Sequence, residues 1–453
     1  MRISTHQVFD AGATNMLKNQ SSLYKQQNQL ATGRRVLTPQ DDPVAAARAL
    51  EVDQSISVNQ QYIEAQGQAK NQLGLVDTQL SALNNALLNV RDRVVQAGNT
   101  TLSNNDRQAI ASELEARLGE ILSVANSDNG SGEFLFSGYS GKVKPFAIDG
   151  TQAAIAPATQ QPVAYYGDSG ERTLQVSASR LMGVNVAGDD LFQRVRNGNG
   201  TFVTSTGGNL AANGAPPPAF NSTGNNQGLA LIDKGSVLDA GKWANTANPD
   251  NFMIRFSVTK DSSGNVTATT YQLYDNTDPA APVELLATPA TYTPGQAIPL
   301  QNTTGGPTVS FGAQVTISGQ PEDGDSFTIA PSSSQSIFQT VQNVLGILRS
   351  PIGSTTYTTT QYSNELAAEL TNIDQALENV SRIQSAVGTK QQEIESLGSS
   401  SSDLAIQYKS ELSDLQDLDW NKAISDFMQQ KMNLEAAQSS FAKISGLSLF
   451  NYL

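Results

Sequence analysis

Residues 73–94, LGLVDTQLSALNNALLNVRDRV, set Leu73, Val76, Leu80, Leu83, Leu87, Val90 and Val94 three and four residues apart. That spacing winds one narrow apolar seam along an α-helix, and such a seam needs a partner helix to cover it. A second seam lies toward the other end of the chain, where Leu366, Leu370, Ile373, Leu377, Val380, Gln384, Val387, Gln391 and Ile394 repeat the spacing. The run GSSSS at 398–402 reads as an interruption of it. Farther out, Phe9, Met16, Leu23 and Leu30 stand one heptad apart near one terminus, as do Phe427, Leu434 and Phe441 near the other. These terminal rows carry Gln20, Gln27, Lys431 and Gln438 where a strong coiled coil has aliphatics. A pair that weak is expected to be completed by neighbouring chains, so all seven heptad residues are candidates for an assembly interface.

Between the helical ends, from about Gly138 to Ser334, Gly, Thr, Ser, Asn and Pro dominate and the apolar period switches to two. Phe252, Ile254, Phe256 and Val258 alternate with polar or mixed neighbours, and DSSGN then turns the chain into a Thr-rich return strand ending near Tyr274. Val309, Phe311, Ala313, Val315 and Ile317 repeat the pattern. GNGTFVTSTGGNLAANGAPPPAFNSTGNNQG, 198–228, reads as loop or linker. The expected fold is therefore α+β: long terminal helices in an antiparallel, coiled-coil-like bundle with a β-rich, hairpin-built insertion. The expected domains are 1–38 with 403–453, 39–141 with 335–402, and an autonomous 142–334, in which a loop-rich part at 198–230 can separate two subdomains. Ser103 and Asp106 form a capping-box pattern ahead of Ile110, Leu114, Leu118 and Ile121.

Composition excludes much chemistry. The 453 residues include no cysteine and one histidine, His6, which removes thiolate sites, zinc sites of the His-Glu-x-x-His kind and Ser-His-Asp triads. A formal charge of −14 argues against binding nucleic acid and points to protein partners. The opening MRISTHQVFDAG lacks the apolar core of a secretory signal, and no run approaches a membrane span. No catalytic residue, cofactor or metal site is expected. Glu322, Asp323 and Asp325 read as a turn before a strand rather than a calcium loop, and Tyr165 and Tyr166 as strand residues at a tight turn.

LATGRRVLTPQDDPVAAARAL, 30–50, has a local physical reading. Gly33 can end the first helix in a left-handed conformation, Asp42 can cap the next, and Pro43 suits its first position. Asp41 and Asp42 read as caps rather than an acid–base pair, and Arg34 and Arg35 as a solvated turn. This helix, Gly-Arg turn, Asp-Asp-Pro and Ala-rich helix resemble the N-terminal signature of the flagellin family. FMQQKMNLEAAQSSFAKISGLSLFNYL, 427–453, resembles the family's terminal helix, and its LSLFNYL ending resembles that of the hook-associated members. EFLFSG at 133–138, PVAYYGDSGER at 162–172, GDDLF at 188–192 and GQPEDGDSFTI at 319–329 are similar to the same members. Residues 198–305 match no family pattern.

The resemblance implies a non-enzymatic building block of the bacterial flagellum that joins the hook to the filament. Its implied partners are hook-associated protein 1, flagellin, other copies of itself in a ring, and a cytoplasmic export chaperone. It implies type III export in unfolded form, without a cleaved signal, and folding at the growing tip outside the cell. The apolar tail Leu447, Leu449, Phe450, Tyr452 and Leu453 is expected to pack or to meet the chaperone. Two alternatives compete: a flagellin filament subunit, and, more remotely, an enzyme displayed on a flagellar scaffold.

Overall fold

The computed structural model describes residues 5–148, 163–209, 226–353 and 357–446. The chain divides into two compact units: Met1–Gln68 with Gln175–Leu181 and Glu393–Leu453, and Ala69–Leu174 with Met182–Gln392. The helices are α1 Thr5–Thr32, α2 Pro43–Ala97, α3 Asn104–Ala125, α4 Ala240–Trp243, α5 Ile337–Arg349, α6 Thr359–Gln416 and α7 Trp420–Gly446.

In the first unit α1 packs on α7, and the start of α2 runs antiparallel to the end of α6. Arg48 pairs with Glu411 at 3.1 Å, and Asn59 donates to the Ser401 carbonyl at 2.7 Å. The 398–402 run does not break α6. Its Ser400 and Ser402 hydroxyls bond back to the carbonyls of Ser396 and Gly398, which keeps them satisfied within the helix. Ser401 is buried and its hydroxyl receives the Gln66 amide at 3.1 Å. The same amide donates to the Val176 carbonyl at 2.7 Å, which seats the β-turn at 177–180 on the helices, with Val176 wholly buried.

In the second unit all seven residues of the 73–94 seam are buried. Opposite them, Leu366, Ile373, Val380 and Val387 form one buried heptad row; Ile394, also buried, belongs to the first unit. The companion row differs from the sequence reading: Ala376 and Ile383 are buried, whereas Leu370 and Leu377 are only half-buried. Ser103 caps α3 in a complete capping box with Asp106, and α3 packs on α5.

The β-rich insertion has two parts. The first is not autonomous. Phe136, Phe146 and Phe192 pack with Phe338 of α5, ring centroids standing 5.0–5.6 Å apart, so Phe146 and Phe192 of the insertion share a core with the helices. The second part is a two-sheet sandwich. One sheet orders Val283–Glu284, Val266–Asp275, Phe252–Lys260, Asp325–Pro331 and Phe202–Asn209, all antiparallel; the other pairs Ala297–Asn302 with Val309–Ser318. Phe252, Ile254, Phe256, Phe311, Val315, Ile317, Phe327 and Ile329 fill one core between them. The stretch 198–228 thus contains a strand where the sequence suggested only loop. Phe202 is fully buried, with the Trp243 ring 5.1 Å away, and the β-branched FVTST run fits the pleat beside Asp325–Pro331. Asp325 begins a strand, as expected of that turn, and its buried carboxylate accepts the backbone N–H groups of Gln227, Gly228 and Glu322.

Candidate assembly site at the terminal helices

Gly33 takes φ +70° at the end of α1, a conformation open to glycine, and its N–H closes on the Gln29 carbonyl at 2.8 Å. Asp42 accepts the Ala45 N–H at 3.0 Å and caps α2, which begins at Pro43. Between these ends Asp41 accepts the N–H groups of Leu37 and Thr38 and pairs with Lys25 of α1 at 2.6 Å. The Lys25 contact, then the backbone bonds, hold its carboxyl down to about 2. Asp41 therefore ties the turn to α1 while Asp42 ties it to α2.

The turn is also bound to the far end of the chain. Arg34 forms an antiparallel bridge with Asp417, the Arg35 N–H meets the Gln416 carbonyl at 2.7 Å, and the Leu418 N–H meets the Gly33 carbonyl at 2.9 Å. The Arg35 guanidinium spans Asp42 at 3.0 Å and the Leu415 carbonyl at 2.8 Å. Arg34 and Arg35 are exposed, as expected, and the turn is also a joint: two chain reversals hold each other, one entering α2 and the other leaving α6.

From that joint α1 and α7 run antiparallel. A Cβ at Gly33 would lie 3.6 Å from the Trp420 ring, and one at Gly12 only 3.0 Å from the Phe441 ring. In this register Phe441 falls between Phe9 and Met16, and Leu434 between Met16 and Leu23, so the two heptad rows interleave. Leu434 is buried, whereas Met16, Leu23, Leu30, Phe427 and Phe441 are half-buried. Among the described side chains of α1 none is buried, and the Phe9 side chain is not among them. Leu447, Leu449, Phe450, Tyr452 and Leu453 lie outside the described residues.

What the heptad reading missed is a second apolar row. Ile424, Met428 and Met432 repeat every four residues along α7 and are 48%, 56% and 64% exposed. On α1, Leu17 and Tyr24 are each 67% exposed and one heptad apart. The four-residue spacing was the available signal. Among the described side chains this helix pair buries one large apolar residue, Leu434, and exposes six, Trp420 among them, which leaves surface for other chains.

The EFLFSG, YYGDSGER and GDDLF segments meet in the second unit. The Tyr165 hydroxyl donates to the Phe136 and Asp168 carbonyls at 3.0 and 2.8 Å, and burial raises its pKa to about 12. The Asp168 carboxylate accepts the N–H groups of Tyr139, Ser140 and Gly170. Gly138 (φ +68°) is required there, since a Cβ would stand 2.2 Å from the Asp168 carbonyl oxygen. These contacts close a structural knot. Among the described residues there is no group of carboxylates that could hold a metal, and no helix long and apolar enough to cross a membrane.

Comparison with known proteins bears on both ends. The bacterial flagellin N-terminal helical region matches residues 3–141 and the flagellin C-terminal helical region matches 370–453. Flagellar hook-associated protein 3 of Escherichia coli K12 is 22% identical over 450 residues, 99% of both chains. The crystal structure of the flagellar junction protein FlgL from Legionella pneumophila is similar with a TM-score of 0.63 at 26% identity, covering 82% of this chain and 100% of that one. A phase 1 flagellin of Salmonella naestved is 30% identical over 157 residues, 34% of this chain and 30% of the flagellin.

Proposed function

The chain belongs to the flagellin family, and from that premise we propose that it is the structural subunit joining the flagellar hook to the filament. The incompletely closed α1–α7 pair, with Leu17, Tyr24, Ile424, Met428 and Met432 turned outward, is the observation that carries an assembly role. Full-length similarity to hook-associated protein 3, against similarity to flagellin over a third of the chain, favours the junction over the filament body. The job is mechanical and needs no catalytic group.

On this reading residues 1–38 and 403–453 form the inner helical domain, 39–141 and 335–402 the surrounding bundle, and 142–334 the outward part. Met16, Leu23, Leu30, Phe427, Leu434 and Phe441, with Phe9, form the inner seam of each subunit, and the outward rows meet its neighbours. Those neighbours are copies of this chain in a ring, hook-associated protein 1 on one side and flagellin on the other. The protein leaves the cell unfolded through the flagellar export apparatus, its C-terminal segment guarded by a chaperone, and works outside as part of the flagellum. Deleting the gene tests the role: cells should still build hooks while releasing flagellin monomer into the medium, and the intact gene should restore filaments. Filaments of normal number and shear resistance in the deletion strain would rule it out.

A further inference from the structure

The sandwich, described over 202–209 and 226–331, is joined to the rest of its unit by a two-stranded stalk, in which Arg196 pairs with Ser334 and Val195 with Gln335. Its apolar core contains no residue of α5 or α6 among those described. What seats it on α6 is polar. Asn364, buried to 8% exposure, accepts the Ile232 N–H through Oδ1 at 3.0 Å and donates through Nδ2 to the Ala230 carbonyl at 3.1 Å. Two helical turns on, Asn372, equally buried, accepts the Gly198 N–H at 2.8 Å at the top of the stalk and donates to Glu369 at 3.0 Å.

Glu369 is the hub of this arrangement. Besides Asn372 it accepts Asn343 of α5 at 2.7 Å and Gln335 of the stalk at 3.3 Å, so one carboxylate gathers both helices and one stalk strand. Beside it a cavity of about 290 Å³, lined by Val203, Ile232, Asp233, Ala368, Glu369 and Asn372 among others, lies between α6 and the sandwich. Apolar packing would resist sliding in every direction at once. Discrete amide bonds across an unfilled gap hold one orientation and release together.

We propose that Asn364, Asn372 and Glu369 form a latch fixing the direction in which the sandwich projects, on a stalk that otherwise acts as a hinge. The latch is a property of the single chain and does not depend on the assembly role. Because the protein has no cysteine, a dye pair can be placed cleanly at Ser263→Cys, on the exposed sandwich turn, and Ser385→Cys, on the exposed side of α6. Single-molecule energy transfer on the full chain should give one narrow distance distribution. The double variant Asn364→Ala, Asn372→Ala should broaden it into several populations, and Glu369→Ala should broaden it alone. Hydrogen exchange at Ile254 and Phe327, in the sandwich core, should stay as slow as in the parent. A distribution as narrow as the parent's in both variants would overturn the proposal. So would loss of protection in the sandwich core, because the seat would then be part of the sandwich's fold rather than a latch.

Discussion

Gly33 and Asp41 show how single positions hold the terminal joint, and each makes a prediction. Gly33→Ala places a Cβ on left-handed backbone, at a cost of about 1–2 kcal/mol, next to the Trp420 ring. Only Trp243 and Trp420 are present, so a Trp243→Phe background makes Trp420 the sole reporter. In that background Gly33→Ala should lower the thermal midpoint of the Trp420 signal, and an unchanged midpoint would show that the joint does not rest on this conformation. For Asp41, a folded pKa of about 2 lies below the ordinary 3.8, so the folded state binds fewer protons. Its contribution is complete above the ordinary value and is lost as pH falls through about 2. Acid titration should shift Trp420 fluorescence in that window, and Asp41→Asn should show part of the shift already at neutral pH. A titration that Asp41→Asn leaves unaltered would remove Asp41 from the joint. Gly33, Asp42 and Pro43 were legible in sequence because caps are local chemistry. The Arg35 bond to the Leu415 carbonyl was not, because its partner lies 380 residues away.

Along single elements, apolar period decided what could be read. The α2 seam repeats without a gap from Leu73 to Val94, and all seven of its residues are buried while Leu75 and Leu88, off the stripe, stay exposed. Leu83 sits in its middle at 0% exposed, so Leu83→Pro should cost about 3 kcal/mol or more by removing a helix hydrogen bond and opening the seam. Circular dichroism melting should show it, and an unaltered melt would place Leu83 outside a helix interior. In α6 apolar residues flank the main row on both sides, and the sequence favoured Leu370 and Leu377 over Ile383 and the smaller Ala376. Size was the wrong guide there, since a position facing a close partner helix can be filled by alanine. Helix continuity through 398–402 was also hidden, because serine looks like a breaker until its i−4 bonds and the cross-helix contact of Ser401 are known. The Asn364 and Asn372 contacts leave no periodic signal at all.

Taken as a molecule, the protein has an insertion that is separable in one part only. Thr201 and Ser332 are bonded across the base of the sandwich at 2.9 Å, so replacing 202–331 with a short turn should leave the helices folded and the protein able to retain filaments. Removing 142–334 should instead unfold the second unit, because Phe146 and Phe192 go with it and each buried Phe lost costs about 3–5 kcal/mol. Equal melting temperatures for the two deletions would contradict this division. The α+β plan and the pairing of the ends were visible in the two seams; the boundary inside the insertion was not, since both parts share the same Gly- and Thr-rich composition. The claim on which the account stands is that the outward row of α7 is covered by other subunits. Replacing Ile424, Met428 and Met432 together with Gln tests it, scored by shearing filaments from cells that secrete the variant. The account predicts normal secretion and an unchanged monomer melt, with filaments absent or lost at low shear; filaments as shear-resistant as the parent's would contradict it.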